Sequence, residues 1–343
     1  MYQFFPVVFL IKSVPVCASG EWVSPFNGFT PAFESIKCKL VQILRIKMTD
    51  EILKQDLDVE QKSSGSTFSL RLLFEKNCEL PDQSFIEKIF SQKLGTIENF
   101  KDSENKVICF SLGDYSIEQP DSTEIIHPLI SIFPCQKILD KEKPLLDNLA
   151  LSQCRQCPEA AEILDSCEYE IFATDLLTDV LYIRDKVSLK VNFLEALMQV
   201  FPSCKGVHIM PADKILSRDY ILNTEGTDLE RFMDLVLNIR FFRIAEADSM
   251  MVDSLGMITL SMPDVQYHFH SMDPNDVVVH AYTILKMMIE CEKPFADGDS
   301  CDSIHDGEFD QNIQWFVQYE DSLIQPSRPV IDVNTGEFAA GDR

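Results

Sequence analysis

A strand that runs directly into a long amphipathic helix is the sequence feature that most constrains the fold. In residues 264–270 apolar and polar side chains alternate, which predicts a strand with Val265, Tyr267 and Phe269 on its apolar face. Asp273-Pro274 then predicts a helix start, because Asp caps free amides and Pro fits the first turn. The helix carries a wide apolar face of Val277, Val278, Ala281, Ile284, Leu285, Met288 and Ile289. Such a face must be buried, so the segment predicts packed α and β layers.

Strand and helix patterns follow one another along the rest of the chain. Strands are predicted at 68–74, 106–112, 125–133, 168–177, 206–210, 239–244 and 315–319, with a hairpin joining 250–252 to 258–260. Helices are predicted after Pro81-Asp82, with an apolar stripe of Phe85, Ile86, Ile89 and Phe90, and at 141–164, 180–201 and beyond 229. Residues 325–343 are predicted to be a tail. The fold class is therefore α+β, with mixed, largely antiparallel sheets packed against helices and built from β-α-β-β-like units.

The first 47 residues differ from the rest in charge. Residues 1–47 carry five basic and two acidic side chains, whereas the whole chain has a net charge of −25. We predict that Met48 is the start of the protein and that 1–47 is a mis-assigned or disordered leader. An export signal is the alternative, although Lys12 and two prolines interrupt its apolar stretch. Residues 48–65 are predicted to be a flexible lead-in, 66–222 an N-terminal portion and 223–343 a C-terminal portion.

The negative charge excludes some classes of partner. Nucleic acids and anionic membranes require a positive field, so neither is predicted to bind. No further stretch of about 18 apolar residues is present to span a membrane. A basic protein is the partner that the charge favours, while a solvated acidic surface is the simpler interpretation. Dinucleotide, P-loop, zincin and hydrolase motifs are absent from the sequence, so no cofactor is predicted.

Eleven cysteines, several of them inside apolar runs, favour free thiols in a reducing cytoplasm. Cys154-x-x-Cys157 with Cys167 has the spacing of a metal or redox site. Zinc would need a fourth ligand, such as Cys135 or His127. Inert buried thiols are the favoured interpretation, because no second Cys-x-x-Cys completes a site.

His268 and His270 form a second candidate metal site, because residues two apart on a strand share a face. Asp264 lies on the same face. The polar side of a half-buried strand is the alternative. Four aspartates, Asp297, Asp299, Asp302 and Asp306, form an acidic loop that lacks the full pattern of a calcium loop and is predicted to be a solvated turn.

Three passages resemble a known family. They are Met262-Pro-Asp-Val-Gln-Tyr-His-Phe with Asp273-Pro-Asn-Asp-Val, Ala296-Asp-Gly-Asp-Ser, and Gln325-Pro-Ser-Arg-Pro-Val-Ile-Asp-Val-Asn. Together they resemble bacterial proteins that carry the domain of unknown function 4261, most strongly over residues 245–305. The resemblance implies a cytoplasmic, bacterial-type α+β protein and implies no reaction or catalytic residues.

Three functions remain open from the sequence. The acidity and the missing catalytic motifs favour a non-enzymatic binding or adaptor protein, of the immunity type that neutralises a basic toxin. A metal-dependent enzyme or metal-binding protein using His268 and His270 is the first alternative. A structural homo-oligomer is the second.

Overall fold

The computed structural model describes residues 67–100, 107–118, 125–138, 145–244 and 248–341, together with the backbone of Arg45–Ile46. Otherwise the predicted leader and lead-in lie outside the described residues, as do residues 141–144 of a predicted helix.

The described strands are β1 (Arg45–Ile46), β2 (Ser69–Phe74), β3 (Ile97–Phe100), β4 (Ile108–Leu112), β5 (Ile117–Glu118), β6 (Ile125–Ile126), β7 (Leu129–Ile132), β8 (Gln136–Lys137), β9 (Tyr169–Leu176), β10 (Gly206–Ile209), β11 (Lys214–Ser217), β12 (Asn238–Ile244), β13 (Met250–Leu255), β14 (Asp264–Phe269), β15 (Ser300–His305), β16 (Glu308–Asp321) and β17 (Pro329–Asn334). The α-helices are α1 (Gln83–Leu94), α2 (Asn148–Ser152), α3 (Ala160–Ser166), α4 (Ile183–Val200), α5 (Arg218–Asn223), α6 (Asp228–Leu235) and α7 (Pro274–Glu290). Sheets of mostly antiparallel strands with helices confirm the predicted α+β class.

The N-terminal sheet has the strand order β11-β10-β2-β9-β7-β4-β3, with β8 also paired to β9. Neighbouring strands in this sheet are antiparallel. Alternation along β2 directs Leu70 and Leu72 into the same buried cluster as the apolar residues of α1 and α4. Leu73 points to the opposite face, where it packs with residues of α2 and α3. This sheet is therefore covered on both faces over part of its width.

The C-terminal sheet has the order β1-β12-β13-β14-β17-β16-β15. Its pairs β1/β12 and β14/β17 are parallel, and the others are antiparallel. Helix α7 covers one face, and all seven residues of its predicted apolar face are buried. Asp273 caps α7 by accepting a hydrogen bond from the Asn275 amide, as predicted. One cluster of buried apolar side chains includes residues from both sheets.

Several local predictions are wrong. Residues 258–260 do not pair with 250–252, because Gly256, with a φ of 116°, leads into a 3-10 helix at Met257–Leu260. Strand β13 instead pairs with β12 and β14. The predicted tail contains β17, and the predicted strand 125–133 is split into β6 and β7 around Pro128.

Two helix predictions also need correction. The predicted helix 141–164 is two short helices, α2 and α3, separated by turns around Cys154 and Pro158. In α1 the buried stripe is Ile86, Phe90 and Leu94, whereas Phe85 is 46% exposed. No helix among the described residues is long and apolar enough to cross a membrane.

Candidate functional site

A row of polar side chains crosses the C-terminal sheet on the face turned away from α7. The row is formed by directly opposed residues of β12, β13, β14, β17 and β16, which are Arg240, Asp253, Gln266, Asp332 and Gln318. All but Gln318 are buried. Strand alternation predicts a polar face here, yet its burial was not predicted.

Residues 322–328 fold over this polar row and bury it. The Arg328 guanidinium donates to Asp253 Oδ2 at 2.9 Å and to Asp264 Oδ2 at 3.0 Å. Arg240 makes a two-point contact with Asp253, at 2.8 Å from Nε to Oδ1 and 2.5 Å from Nη2 to Oδ2. The Leu323 amide donates to Gln266 Oε1 at 2.7 Å. The two arginines therefore balance the charges of two buried carboxylates. Their contacts hold residues 322–328 against the sheet rather than leaving a ligand site exposed.

The predicted metal candidates on β14 belong to separate local networks. Asp264 accepts hydrogen bonds from Ser254 Oγ at 3.1 Å and the Met257 amide at 3.2 Å, in addition to Arg328. Burial raises the pKa of Asp264, and the Arg328 charge opposes that rise. His268 is buried with Nε2 at 3.2 Å from Ser249 Oγ.

His270 is half-buried at the strand end, with Nδ1 at 3.1 Å from Ser271 Oγ. Within the described ranges, no three His, Cys, Asp or Glu side chains are grouped so that they could hold a metal ion.

The predicted cysteine site is part of an apolar cluster. Cys154, Cys157 and Cys167 are all buried thiols, and they pack with Leu73 and Ile215. Burial raises the pKa of Cys154 to about 11 and that of Cys157 to about 12. Thiols with such pKa values are poor nucleophiles at neutral pH.

The suggested fourth ligands of the cysteine site are engaged elsewhere. Cys135 Sγ accepts the Cys78 amide at 3.4 Å. His127 Nδ1 lies 2.5 Å from the Tyr115 carbonyl oxygen.

A buried histidine on α7 was missed by the sequence analysis. His280 Nδ1 lies 2.8 Å from the Tyr267 hydroxyl and its Nε2 lies 2.8 Å from the Asp302 carbonyl oxygen. A carbonyl only accepts, so Nε2 carries the proton and Nδ1 accepts from Tyr267. Burial lowers the pKa of His280 from 6.5 to about 4. The sequence signal that could have identified it is the position of a histidine among the apolar residues of the buried face of α7.

Three lysines are also buried, and each has a polar partner. Lys190 Nζ contacts Asp175 Oδ2 at 3.1 Å, in a pair with almost no exposed side-chain surface. Lys214 donates to the Asp234 and Leu237 carbonyl oxygens at the end of α6, where a cation is favoured by the helix dipole. Burial nevertheless lowers the pKa of Lys214 to about 8. Lys186 donates to the Leu260 carbonyl oxygen at 3.3 Å. These contacts join elements within the core, so none of these three lysines lies in an open cleft.

The hairpin of β15 and β16, with the residues that lead into it, is the most distinctive exposed surface. We name residues 297–316 the acidic hairpin. It carries six exposed or half-exposed acids, which are Asp297, Asp299, Asp302, Asp306, Glu308 and Asp310. No Lys or Arg occurs between residues 294 and 327. Ile313 and Phe316 stand among these acids with 54% and 62% of their surfaces exposed. Within the described part of the sheet, β15 is an edge strand that pairs only with β16.

Several acids of the acidic hairpin also shape its turns. Asp297 Oδ1 accepts from the Tyr319 amide at 2.9 Å, and Asp299 Oδ2 accepts from the Ala296 amide at 2.8 Å. Asp302 lies in β15 and not in the predicted loop, whereas these bonds confirm the predicted turn at Asp297 and Asp299. They also fix carboxylates in place without neutralising them, so the negative field remains.

Comparison with known proteins gives one match. No curated protein and no solved structure matches the chain. The matched segment begins at Asp253 in the polar row, contains α7 and the acidic hairpin, and ends at Asn334 in β17. Residues 253–334 match the family "Domain of unknown function (DUF4261)", which confirms the resemblance found in the sequence.

Proposed function

We propose that the protein is a non-enzymatic binding protein and that the acidic hairpin receives a basic protein partner. The observation that supports it is that two exposed apolar side chains, Ile313 and Phe316, lie in a stretch, residues 294–327, that contains acids and no Lys or Arg. Large exposed apolar residues in a charged rim are typical of protein interfaces. The sign of the rim selects a partner rich in Lys and Arg and repels nucleic acids.

The edge position of β15 suggests how such a partner binds. An edge strand offers unpaired backbone groups, to which an extended segment can add as a further strand. Alternate side chains of that segment then contact Phe316 on one face, while its Lys and Arg residues contact the acids at the turns. An immunity-type role against a basic toxin is one biological setting with this chemistry. The nine cysteine thiols of the described chain support a reducing cytoplasm as the compartment.

The test uses a defined probe, a fluorescein-labelled peptide of about eight residues, an ordinary strand length, that alternates Lys and Val. We expect fluorescence anisotropy to show binding that weakens as salt is added. The double variant Ile313→Ser/Phe316→Ser removes the apolar anchors and should weaken binding by about 2 kcal/mol or more. Ile125→Ser is the matched control, because Ile125 is 63% exposed on β6, away from the acidic hairpin.

The outcomes separate the proposed interface from general charge attraction. Equal binding by the Ile313→Ser/Phe316→Ser protein and the parent would refute the proposed surface. The variant Asp306→Lys/Glu308→Lys should also lose the probe and should gain affinity for a matched Glu/Val peptide. An unchanged preference in that variant would show that the partner is not chosen by charge.

A further inference from the structure

Two cysteines that are 57 positions apart in the sequence meet at one end of the N-terminal sheet. Strands β2 and β7 both pair antiparallel with β9, one on each side, so they run in the same direction. The segments that follow them therefore leave the sheet at the same end. Cys78 lies in the segment after β2 and Cys135 in the segment after β7.

The two residues are already in contact. The Cys78 amide nitrogen donates to Cys135 Sγ at 3.4 Å. The Cβ of Cys78 is two bonds away from this amide nitrogen, so it also lies near Cys135 Sγ. Disulfides need Cβ atoms about 4 Å apart, a distance that the backbone sets, and rotation about the Cα–Cβ bonds then turns the two sulfurs toward each other.

The exposure of Cys78 and Cys135 distinguishes them from the buried cysteines. Cys78 and Cys135 are half-buried, so small thiol reagents can reach them, whereas Cys154 and Cys157 are buried. Cys291 is exposed but has no neighbouring thiol among the contacts of the described residues. These five cysteines thus comprise one accessible pair, one inaccessible pair and one accessible single thiol.

We propose that Cys78 and Cys135 form a reversible disulfide, with a small disulfide such as oxidised glutathione as the oxidant. Cys135 Sγ, which accepts the Cys78 N–H, attacks one glutathione sulfur first. One glutathione leaves as its thiolate, and Cys135 carries the other in a mixed disulfide. Cys78 Sγ then attacks Cys135 Sγ and releases the second glutathione. The two cysteines lose two electrons and two protons, and one glutathione disulfide becomes two thiols.

The second step depends on the protonation state of Cys78. Burial raises the pKa of the Cys78 thiol, while a hydrogen bond with Ser203 lowers it. Cys78 therefore contributes little thiolate at neutral pH and acts as the resolving thiol. Raising the pH should accelerate closure of the disulfide.

Oxidation would also alter a neighbouring cavity. An open cavity of about 890 Å³ lies at this end of the sheet, lined by residues that include Phe74, Glu75, Asn77 and Ser203. In the reduced protein Cys78 Sγ is 3.9 Å from Ser203 Oγ. A bond to Cys135 draws Cys78 away from Ser203, which couples the thiol pair to the cavity wall.

The experiment incubates the full-length protein with reduced and oxidised glutathione at a series of ratios, followed by alkylation and peptide mass mapping. We expect a cross-linked peptide pair containing Cys78 and Cys135, lighter by two hydrogen atoms than the two reduced peptides. Addition of a strong reductant should reverse it. The Cys78→Ser protein should stop at a glutathione adduct on Cys135, and Cys291 should form only such an adduct.

Hydrogen exchange provides a readout that does not depend on the variants. Oxidation of the parent protein should slow exchange in residues 75–82 and alter it in 203–205. Absence of the Cys78–Cys135 peptide at every ratio, while Cys291 forms its adduct, would overturn the proposal. Alkylation of Cys78 and Cys135 at the slow rate of Cys154 would overturn it as well, because the pair would then be inaccessible.

Discussion

The buried histidine of α7 makes the stability of the protein depend on pH in a range that can be calculated. His280 has a pKa of about 4 in the folded protein against 6.5 as its ordinary value, because burial disfavours the charged ring. The unfolded chain therefore binds a proton first as the pH falls. This contribution to stability is complete above about pH 6.5 and is lost progressively between about pH 6.5 and pH 4.

The magnitude follows from the two pKa values. Their difference corresponds to about 3 kcal/mol over the whole range. Between about pH 7 and pH 5, the free energy of unfolding should fall by about 2 kcal/mol through this group. Carboxylates titrate mainly below this interval, and their contribution is shared by any variant in which only His280 is changed.

The assay is urea unfolding of the parent and of His280→Gln at both pH values. Gln retains an N–H for the Asp302 carbonyl but does not titrate. Trp315 lies 4.8 Å from His280 between ring centroids and reports unfolding of this region by fluorescence. A Trp22→Phe background removes the other tryptophan.

The comparison of the two proteins decides the outcome. We expect the parent to lose about 2 kcal/mol more than His280→Gln as the pH falls. His305→Gln, at an exposed histidine of the acidic hairpin, is the matched control and should behave as the parent. Equal losses in the parent and His280→Gln would refute the reasoning that His280 is held neutral by burial.

Three further predictions concern the buried charges, the cysteines and the candidate metal ligands. Replacement of Arg328 by Met should lower the free energy of unfolding by about 3 to 5 kcal/mol in urea unfolding, because two buried carboxylates lose a cation. The control is Arg243→Met, at a half-exposed arginine, which should lower the free energy of unfolding by less than about 1 kcal/mol. In the native protein iodoacetamide should modify Cys291 rapidly and Cys154 only on unfolding, as followed by mass spectrometry. Elemental analysis of residues 48–343, purified without a metal-binding tag, should find no stoichiometric transition metal, and a finding of one per chain would contradict the separation of the candidate ligands.

Local periodicity explains which parts of the fold could be predicted. The apolar face of α7 and its Asp273 cap depend on residues close together in the sequence, and both were predicted correctly. The hairpin assigned to 250–260 was wrong because β13 finds its partners through β12 and β14 rather than through the next segment. Strand β17 was missed because its pairing with β14 joins residues far apart in the chain.

The candidate sites were harder to predict than the fold for a related reason. The alternation of β14 identifies a polar face, but it cannot indicate that residues 322–328 return to cover it. Sequence spacing placed Asp264, His268 and His270 on one side of a strand, whereas their hydrogen-bond partners come from three different segments. Likewise, a Cys-x-x-Cys spacing says nothing about the apolar residues that surround both thiols.

The position of β17 has a consequence for the making of the protein on the ribosome. The hairpin of β15 and β16 emerges before β17, yet β17 lies between that hairpin and β14. The hairpin therefore has no strand to join until residues 329–334 have been translated, and nascent chains expose its edges in the meantime. A stop codon upstream of Pro329 would leave the two halves of the sheet unjoined. Such products should be removed by proteases rather than accumulate as shortened binding proteins.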